Sequence, residues 1–442
     1  MLLEQIIIYV SVLLFCVAIV YFYLKKLKQA SEVVEAKIES AKEDGLHEPV
    51  SLHPVIDLGT CIKSGACVEA CPEKDILGIL KGAGTLIKAS NCVGHGACFH
   101  ACPVEAISLV IGTEKRGVDL PHVSESYETN MPGIYIAGEL GGMGLIKNSV
   151  EQGMYAVENI VKSKLPKDDS TLDIVIVGAG PAGISASLAA KKYGLKFITL
   201  EQDTLGGTVY TFPRSKIVMT SPMDLPLYGK VKLFNTSKGE LLDVWNAALS
   251  KNDITINEKT KVETVIPENG HFKVTTIKGE EFKTKTVLLA IGRRGTPRKL
   301  GVQGEMTEKV AYRLLEPEMI ADKEIVVVGG GDSAIESAIL LCKQNKVVLS
   351  YRKDKFSRLK PKNREQILAA IEKGWVNVKY NTNLTKIEKQ QVTLKYSEDG
   401  REEHLKNDLV YIFAGGELPT QFLQKAGVQI TKRFGFTMKK YR

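Results

Sequence analysis

Two glycine-rich turns of one type lie about 150 residues apart, each following a strand of β-branched residues. The first reads Ile174-Val-Ile-Val-Gly178-Ala-Gly180-Pro181-Ala182-Gly183 and the second Ile325-Val-Val-Val-Gly329-Gly-Gly331-Asp332-Ser333-Ala334. In such a turn the first glycine permits the sharp bend and the second lets backbone approach a pyrophosphate. The third lets helix and strand pack closely, and the helix N-terminus then faces the phosphate charge. Two copies in tandem point to a chain that holds two dinucleotides and moves a hydride between them. Asp332 and Ser333 are expected to shape the second turn, with Ala334 in the place of its third glycine.

The 442 residues suffice for two or three domains. The net charge of +8 is mild, and no Lys/Arg run is interleaved with aromatics, which argues against nucleic acid. An anionic cofactor or an acidic membrane surface accounts for it. Ile6 to Leu24 is a run of nineteen residues without a charge, close to the ~20 a helix needs to span a bilayer. Lys25, Lys26 and Lys28 follow at once, so the positive-inside rule puts the remainder of the chain in the cytoplasm, behind a single-pass membrane anchor. Charges after the apolar run, closed by Tyr21, Phe22 and Tyr23, do not suit a cleaved signal. Gln29 to Asp44 reads as a helical stalk ending near Gly45 and Pro49. Cys16 lies within the span, and Cys342 reads as a core residue.

Six of the eight cysteines fall in two copies of one pattern. These are Cys61-Ile-Lys-Ser64-Gly-Ala-Cys67-Val-Glu-Ala-Cys71-Pro and Cys92-Val-Gly-His95-Gly-Ala-Cys98-Phe-His-Ala-Cys102-Pro. The layout over residues 51–112 resembles the two-cluster bacterial ferredoxin, in which the fourth cysteine of each run serves the other cluster. That resemblance implies one site of Cys61, Cys67 and Cys102 around Ser64, and another of Cys92, Cys98 and Cys71 around His95. Ser64 and His95 stand where the family has cysteine. Imidazole can ligate iron, and serine is a poorer ligand. One or two clusters, of the 4Fe-4S or 3Fe-4S type, and a metal-free remnant all stay open.

Behind the first turn, Glu201 ends the next strand, where an acidic side chain accepts hydrogen bonds from adenosine ribose. Leu205-Gly206-Gly207-Thr208 follows, and later Ala290-Ile-Gly292 after a strand. Together these resemble the FAD half of the thioredoxin-reductase-like flavoproteins. The resemblance implies FAD contacts from Gly207, Thr208, Val262 and Gly292, with Thr208 and Tyr210 near the ring. That family closes its FAD domain after the nicotinamide domain, with a segment of the type Thr-x-x-Pro-Gly-Ile-Tyr…Ala-Gly-Asp. Here Thr129-Asn-Met-Pro-Gly-Ile-Tyr-Ile-Ala-Gly138-Glu139 stands upstream instead, directly behind the cysteine runs, with Gly153 after it. The chain therefore reads as circularly permuted, with a polar linker from Lys162 to Ser170. Glu139 replaces the family aspartate near the flavin pyrophosphate.

After the second turn, Val347-Val-Leu-Ser350 is followed by Tyr351, Arg352, Lys353 and then Arg358. NAD would call for a carboxylate at that strand end, whereas cations complement a 2′-phosphate, so NADPH is preferred over NADH. The run resembles the family's His-Arg-Arg…Arg clamp, with Tyr351 for the histidine. The Cys-x-x-Cys that thioredoxin reductases carry before Asp-Ser-Ala is absent, since that stretch reads Val-Gly-Gly-Gly. Dithiol reduction by that route is excluded, and the nearest resemblance is to the thioredoxin-reductase-type ferredoxin–NADP reductases. No catalytic side chain is assigned.

The expected fold class is α/β: two Rossmann-like dinucleotide-binding domains (FAD and NADPH), a small α+β ferredoxin domain and one transmembrane helix. The expected order is an anchor over 1–28, a stalk over 29–50, the ferredoxin-like domain over 51–112 and the displaced FAD segment over 113–165. The FAD-binding domain then spans 170–298 and the NAD(P)H-binding domain 299–415, with a basic tail, 416–442, completing the FAD domain. The expected activity is electron transfer from NADPH through FAD to iron–sulfur clusters and an unknown, membrane-associated acceptor, or the reverse. The alternatives are a flavin-dependent reductase of a small disulfide or quinone with a structural ferredoxin domain, and a non-catalytic membrane redox sensor. Family resemblance alone implies a homodimer.

Overall fold

The computed structural model describes residues 2–49, 52–73, 75–142, 144–163, 165, 170–212, 217–219, 222–233, 235–293, 296–356, 359–417 and 419–439. Most of the expected 162–170 linker, and Arg358, lie outside the described residues. The chain divides into two units: residues 1–118 with 433–442, and residues 119–432.

The first unit begins with one unbroken helix of 42 residues, Leu2–Glu43. It is long and apolar enough to cross a membrane, and the apolar side chains from Ile6 to Leu24 are exposed. No proline or glycine interrupts it before Gly45, whose φ of 69° turns the chain back. The C-terminal half of the helix packs on the cysteine-rich region. Ala41 is fully buried, Lys37 pairs with Asp75 at 2.7 Å, and the Lys81 N–H donates to Ser31 Oγ. Gly78 faces Val34 so closely that an added methyl would stand 3.0 Å from it.

Strand His53–Ile56 pairs antiparallel with Ile107–Ile111, and a hairpin joins Leu77–Leu80 to Ala83–Leu86. Two short helices, Ala66–Glu69 and Ala97–Ala101, each start behind a glycine at φ 74°, Gly65 and Gly96. The sheet's third strand is Phe436–Lys439, from the far end of the chain, paired antiparallel with Ile107–Ile111. The tail expected to complete the FAD domain is therefore divided. Leu423, Ala426 and Val428 lie in the flavin-side core with Ile134 and Val265, while residues 433–442 belong to the iron–sulfur unit. The cause is an otherwise open edge on strand Ile107–Ile111, whose backbone groups the last strand satisfies.

In the second unit, Glu281–Leu289 is central to a six-stranded sheet. It runs parallel to Leu172–Val177 on one side and to Ile134–Ile136 on the other, and Phe197–Leu200 continues the parallel set. Strand Ile134–Ile136 comes from the displaced segment, as does helix Ile146–Lys162, which packs along helix Pro181–Lys192. A five-stranded, all-parallel sheet follows: Val310–Ala311, Leu409–Ile412, Glu324–Val328, Lys346–Tyr351 and Val376–Tyr380. Helices Asp332–Leu341 and Pro361–Glu372 pack on it through Ile335, Ala338 and Ile367. The unbroken apolar strands Ile325–Val327 and Val347–Leu349 suit a parallel sheet covered on both faces.

Removing residues 433–442 is expected to lower the iron content of the purified protein while leaving bound flavin unchanged. Iron and flavin assays per chain check this.

Candidate functional site

The first glycine turn has the geometry its sequence implies. Gly178 sits at φ 103°, and a Cβ there would stand 2.6 Å from the Ala290 carbonyl oxygen. A Cβ on Gly183 would stand 1.8 Å from the Gly178 oxygen, so only glycine lets the helix come this close. A Cβ on Gly180 would meet nothing within 4 Å, and Gly180 caps helix Pro181–Lys192 without a side-chain acceptor. Open space in front of unpaired N–H groups is the fit that a diphosphate requires. Ala182 is buried under the displaced segment: a Cβ on Gly138 would stand 3.2 Å from the Ala182 Cβ, and one on Gly153 would stand 2.1 Å from its carbonyl oxygen.

Glu201 is buried and takes two backbone hydrogen bonds, from Ala179 N–H at 2.7 Å and Asp203 N–H at 2.8 Å. Burial pushes its carboxyl above the usual carboxylate range, against the pull of those donors. It thus clamps the turn as well as standing at the strand end. Gly207 lies against Gly180, with a would-be Cβ 3.3 Å from the Gly180 Cα, and Gly206 N–H donates to Ala179 O. Thr208 and Tyr210 are exposed beside this loop, with Lys238 Nζ over the Tyr210 ring at 4.7 Å. Glu139 is half-buried and folds over Gly144, and Gly292 turns at φ 65° after the Ala290 strand. Val262 is placed differently from the other expected contacts, being packed in the sheet core with Val265 and Val274. Gln152, which sequence reasoning missed, accepts the Gly138 N–H at 2.9 Å inside the core. No motif marks it, because its task is local to the displaced segment.

The second turn repeats the first. Gly329 sits at φ 138° with Phe413 O against it, Gly331 is open, and fully buried Ala334 takes the third position. Asp332 opens helix Asp332–Leu341, with Ser333 next, and its Oδ1 is engaged by Lys360 N–H at 3.0 Å and Asn363 Nδ2 at 2.7 Å. Asn363 is a second residue that no motif announces. Tyr351 is buried, stacks on Phe356, and covers Gly330 so tightly that any side chain there would enter its ring. Arg352 and Lys353 are exposed at the end of strand Lys346–Tyr351.

The cysteines of the first unit sort into two groups. Cys61, Cys67 and Cys102 line one small cavity with Ser64 and Gly65. Cys71 lies close enough to raise the thiols of Cys92 and Cys98, and Cys92 that of Cys98, though burial is the larger cause. Burial pushes Cys92 up to about 11 and Cys98 up to about 12, so metal uptake at neutral pH must release protons. Among the described residues no three His, Cys, Asp or Glu side chains are gathered for a single metal ion. A lone tetrahedral ion needs sulfurs within about 3.8 Å of one another. An iron–sulfur cluster binds each cysteine through a different iron, so its ligands stand farther apart, and two sets of three thiols suit it better than zinc.

Ser64 and His95 occupy equivalent places. Ser64 Oγ accepts the Ala66 N–H at 3.4 Å, and His95 Nδ1 accepts the Ala97 N–H at 3.0 Å, two residues on in each case. With Nδ1 so used, a neutral ring carries its proton on Nε2, which faces Cys71 Sγ at 3.9 Å. This places His95 to donate to a cysteine sulfur; ligation through Nε2 would require the Nδ1 contact to be given up.

A family model described as pyridine nucleotide-disulphide oxidoreductase matches residues 175–439, more than half of the chain. The chain belongs to that family. Residues 53–103 match a 4Fe-4S dicluster domain. The chain is 27% identical over 270 residues to the bacilliredoxin reductase of Bacillus subtilis, covering 59% of this chain and 82% of the relative. It is 28% identical over 260 residues to a ferredoxin–NADP reductase of Ignicoccus hospitalis, covering 58% and 82%. The bacillithiol disulfide reductase of Staphylococcus aureus shares the fold at a TM-score of 0.52 and 24% identity, over 60% of this chain and 84% of its own. The protein is thus a pyridine nucleotide-disulphide oxidoreductase-family flavoprotein carrying a 4Fe-4S ferredoxin domain. The oxidoreductase family match begins at residue 175, behind the displaced segment that packs on its first helix.

Gly183→Ala is expected to weaken the flavin-side fold by about 1–3 kcal/mol through overpacking and to abolish flavin retention, read by thermal melting and absorbance. His95→Cys is expected to raise the iron bound per chain by one, whereas His95→Ala leaves the iron count unchanged. Iron assay and Mössbauer spectra check both.

Proposed function

We propose that this protein oxidises NADPH and passes the electrons through FAD to one or two iron–sulfur clusters, and from there to an acceptor at the membrane. The single observation that carries the reading is a second phosphate turn without a cysteine pair, in a chain that also groups six cysteines into two sets of three. Bound flavin takes two electrons as a hydride and can release them singly. The chain's own residues bind and position. Gly178–Gly183 and the N-terminus of helix Pro181–Lys192 hold a diphosphate, Glu201 stands at the ribose, and Gly207 closes over Gly180. Arg352 and Lys353, with Arg358, complement a 2′-phosphate. Hydride transfer needs alignment and exclusion of water, with no protein acid or base. The ferredoxin–NADP reductase relative supports electron exchange between a nicotinamide nucleotide and an iron–sulfur centre, in either direction. The N-terminal helix, with Lys25, Lys26 and Lys28 behind it, supports anchoring with the folded units in the cytoplasm.

A second reading, reduction of a small disulfide by flavin with the iron–sulfur unit serving as structure, is favoured by the bacilliredoxin reductase relative. Anaerobic titration with NADPH separates the two. Cluster reduction following flavin bleaching, seen by EPR, supports the first, and flavin bleaching with silent clusters supports the second. Replacing Arg352 and Lys353 by alanine is expected to raise KM for NADPH at least tenfold, about 1.4 kcal/mol, and to leave KM for NADH unchanged. Steady-state kinetics with both nucleotides check this.

A further inference from the structure

The stalk fixes which cysteine group faces the bilayer. Helix Leu2–Glu43 passes unbroken from the apolar span into its contacts with the iron–sulfur region, so it serves as a ruler. Ser31, which accepts the Lys81 N–H at 3.2 Å, follows Leu24 by seven residues. At 1.5 Å per residue that is about 10 Å beyond the hydrocarbon edge, and any tilt shortens it. The headgroup layer itself is roughly 5–8 Å deep. The turn at Lys81 and Gly82 therefore lies at the outer margin of the headgroups.

The Cys61 loop lies at the same level. The Lys63 side chain lies over Gly82, and Ile79 of the same hairpin lines the cavity with Cys61 and Cys67. The other cysteine group is at the far end of the stalk. Leu46 folds back to bond the Ala41 carbonyl and accepts the Ser90 N–H, and Cys92 follows two residues later, its sulfur 3.6 Å from Leu52 O. Ala41 is ten residues below Ser31, about 15 Å farther from the membrane. Strand His53–Ile56 runs between the two levels, with Leu52 beside Gly94 and Ile56 beside Gly84.

The membrane-side end exposes large apolar side chains. Leu58 is 66% and Ile62 60% exposed, on either side of Cys61, with exposed Lys63 next to them. Water-facing isoleucine and leucine around one lysine suit the boundary of an anionic bilayer, where apolar side chains enter and the ammonium meets headgroup charge. We propose that Leu58, Ile62 and Lys63 seat the iron–sulfur unit on the lipid surface. This makes the Cys61–Cys67–Cys102 group the membrane-facing site and the Cys71–Cys92–Cys98 group the inner one. It rests on the anchored reading above, and an acceptor in the lipid phase then meets the Cys61 site first.

The test uses the full-length protein in vesicles of phosphatidylethanolamine and phosphatidylglycerol. A benzophenone amino acid replaces Ile62, Leu58 or, as a control toward the inner end, exposed Glu114. After irradiation, mass spectrometry should find lipid adducts at positions 62 and 58 at least tenfold above position 114. Equal yields at all three positions, in protein that keeps its iron and resists an alkaline wash, would overturn the seating and leave the anchor standing. Protein washed off the vesicles would overturn the anchor and the seating together.

Discussion

The flavin half depends on one close crossing. Helix Ile146–Lys162 meets helix Pro181–Lys192 where Gly153 faces the Ala182 carbonyl, so near that a methyl group would stand 2.1 Å away. Gly138 approaches the same alanine from the end of strand Ile134–Ile136. A segment that precedes the phosphate turn in sequence is thereby locked onto the first turn of its helix. Side chains in an interior of ordinary packing density leave no slack for another residue at these positions. The turn, the strand that flanks it and the helix that backs it behave as one body.

That contact lets a segment standing ahead of the phosphate turn in the chain complete the sheet behind it. Strand Glu281–Leu289 accepts Ile134–Ile136 on one side and Leu172–Val177 on the other, both parallel. Backbone pairing is indifferent to which strand came first in the chain. Asn130 ties the displaced segment to the opposite end of the unit, donating to Gly427 O at 2.9 Å and accepting from Gln429 N–H at 2.8 Å. The chain then leaves for its final strand in the iron–sulfur unit, so its first and last folded parts share one sheet.

Much of this is legible in the sequence because each feature has a local cause. The two glycine turns announce themselves by spacing: Gly178, Gly183, Gly329 and Gly330 answer to a clash or a positive φ, and Gly180 and Gly331 leave the open space in front of the helix. The sorting of six cysteines into two groups of three is what the resemblance to the two-cluster ferredoxin implies. The final strand is different: nothing in Phe436–Lys439 says which of several open edges it will pair with, since that depends on a partner more than 300 residues away in sequence. Gln152 and Asn363 escape for the same reason, being ordinary polar residues given work only by tertiary neighbours. Val262, carried over from the family as a cofactor contact, packs in the sheet core, as its β-branched side chain favours.

The dependence of the flavin cradle on the displaced segment can be measured directly as the dissociation constant for FAD. It should be compared between the full chain and a chain beginning at residue 170, whose nucleotide half is shown to be folded by retention on immobilised 2′,5′-ADP. The account predicts one FAD per full chain and none bound by the shortened one. Equal affinity in the two would contradict it.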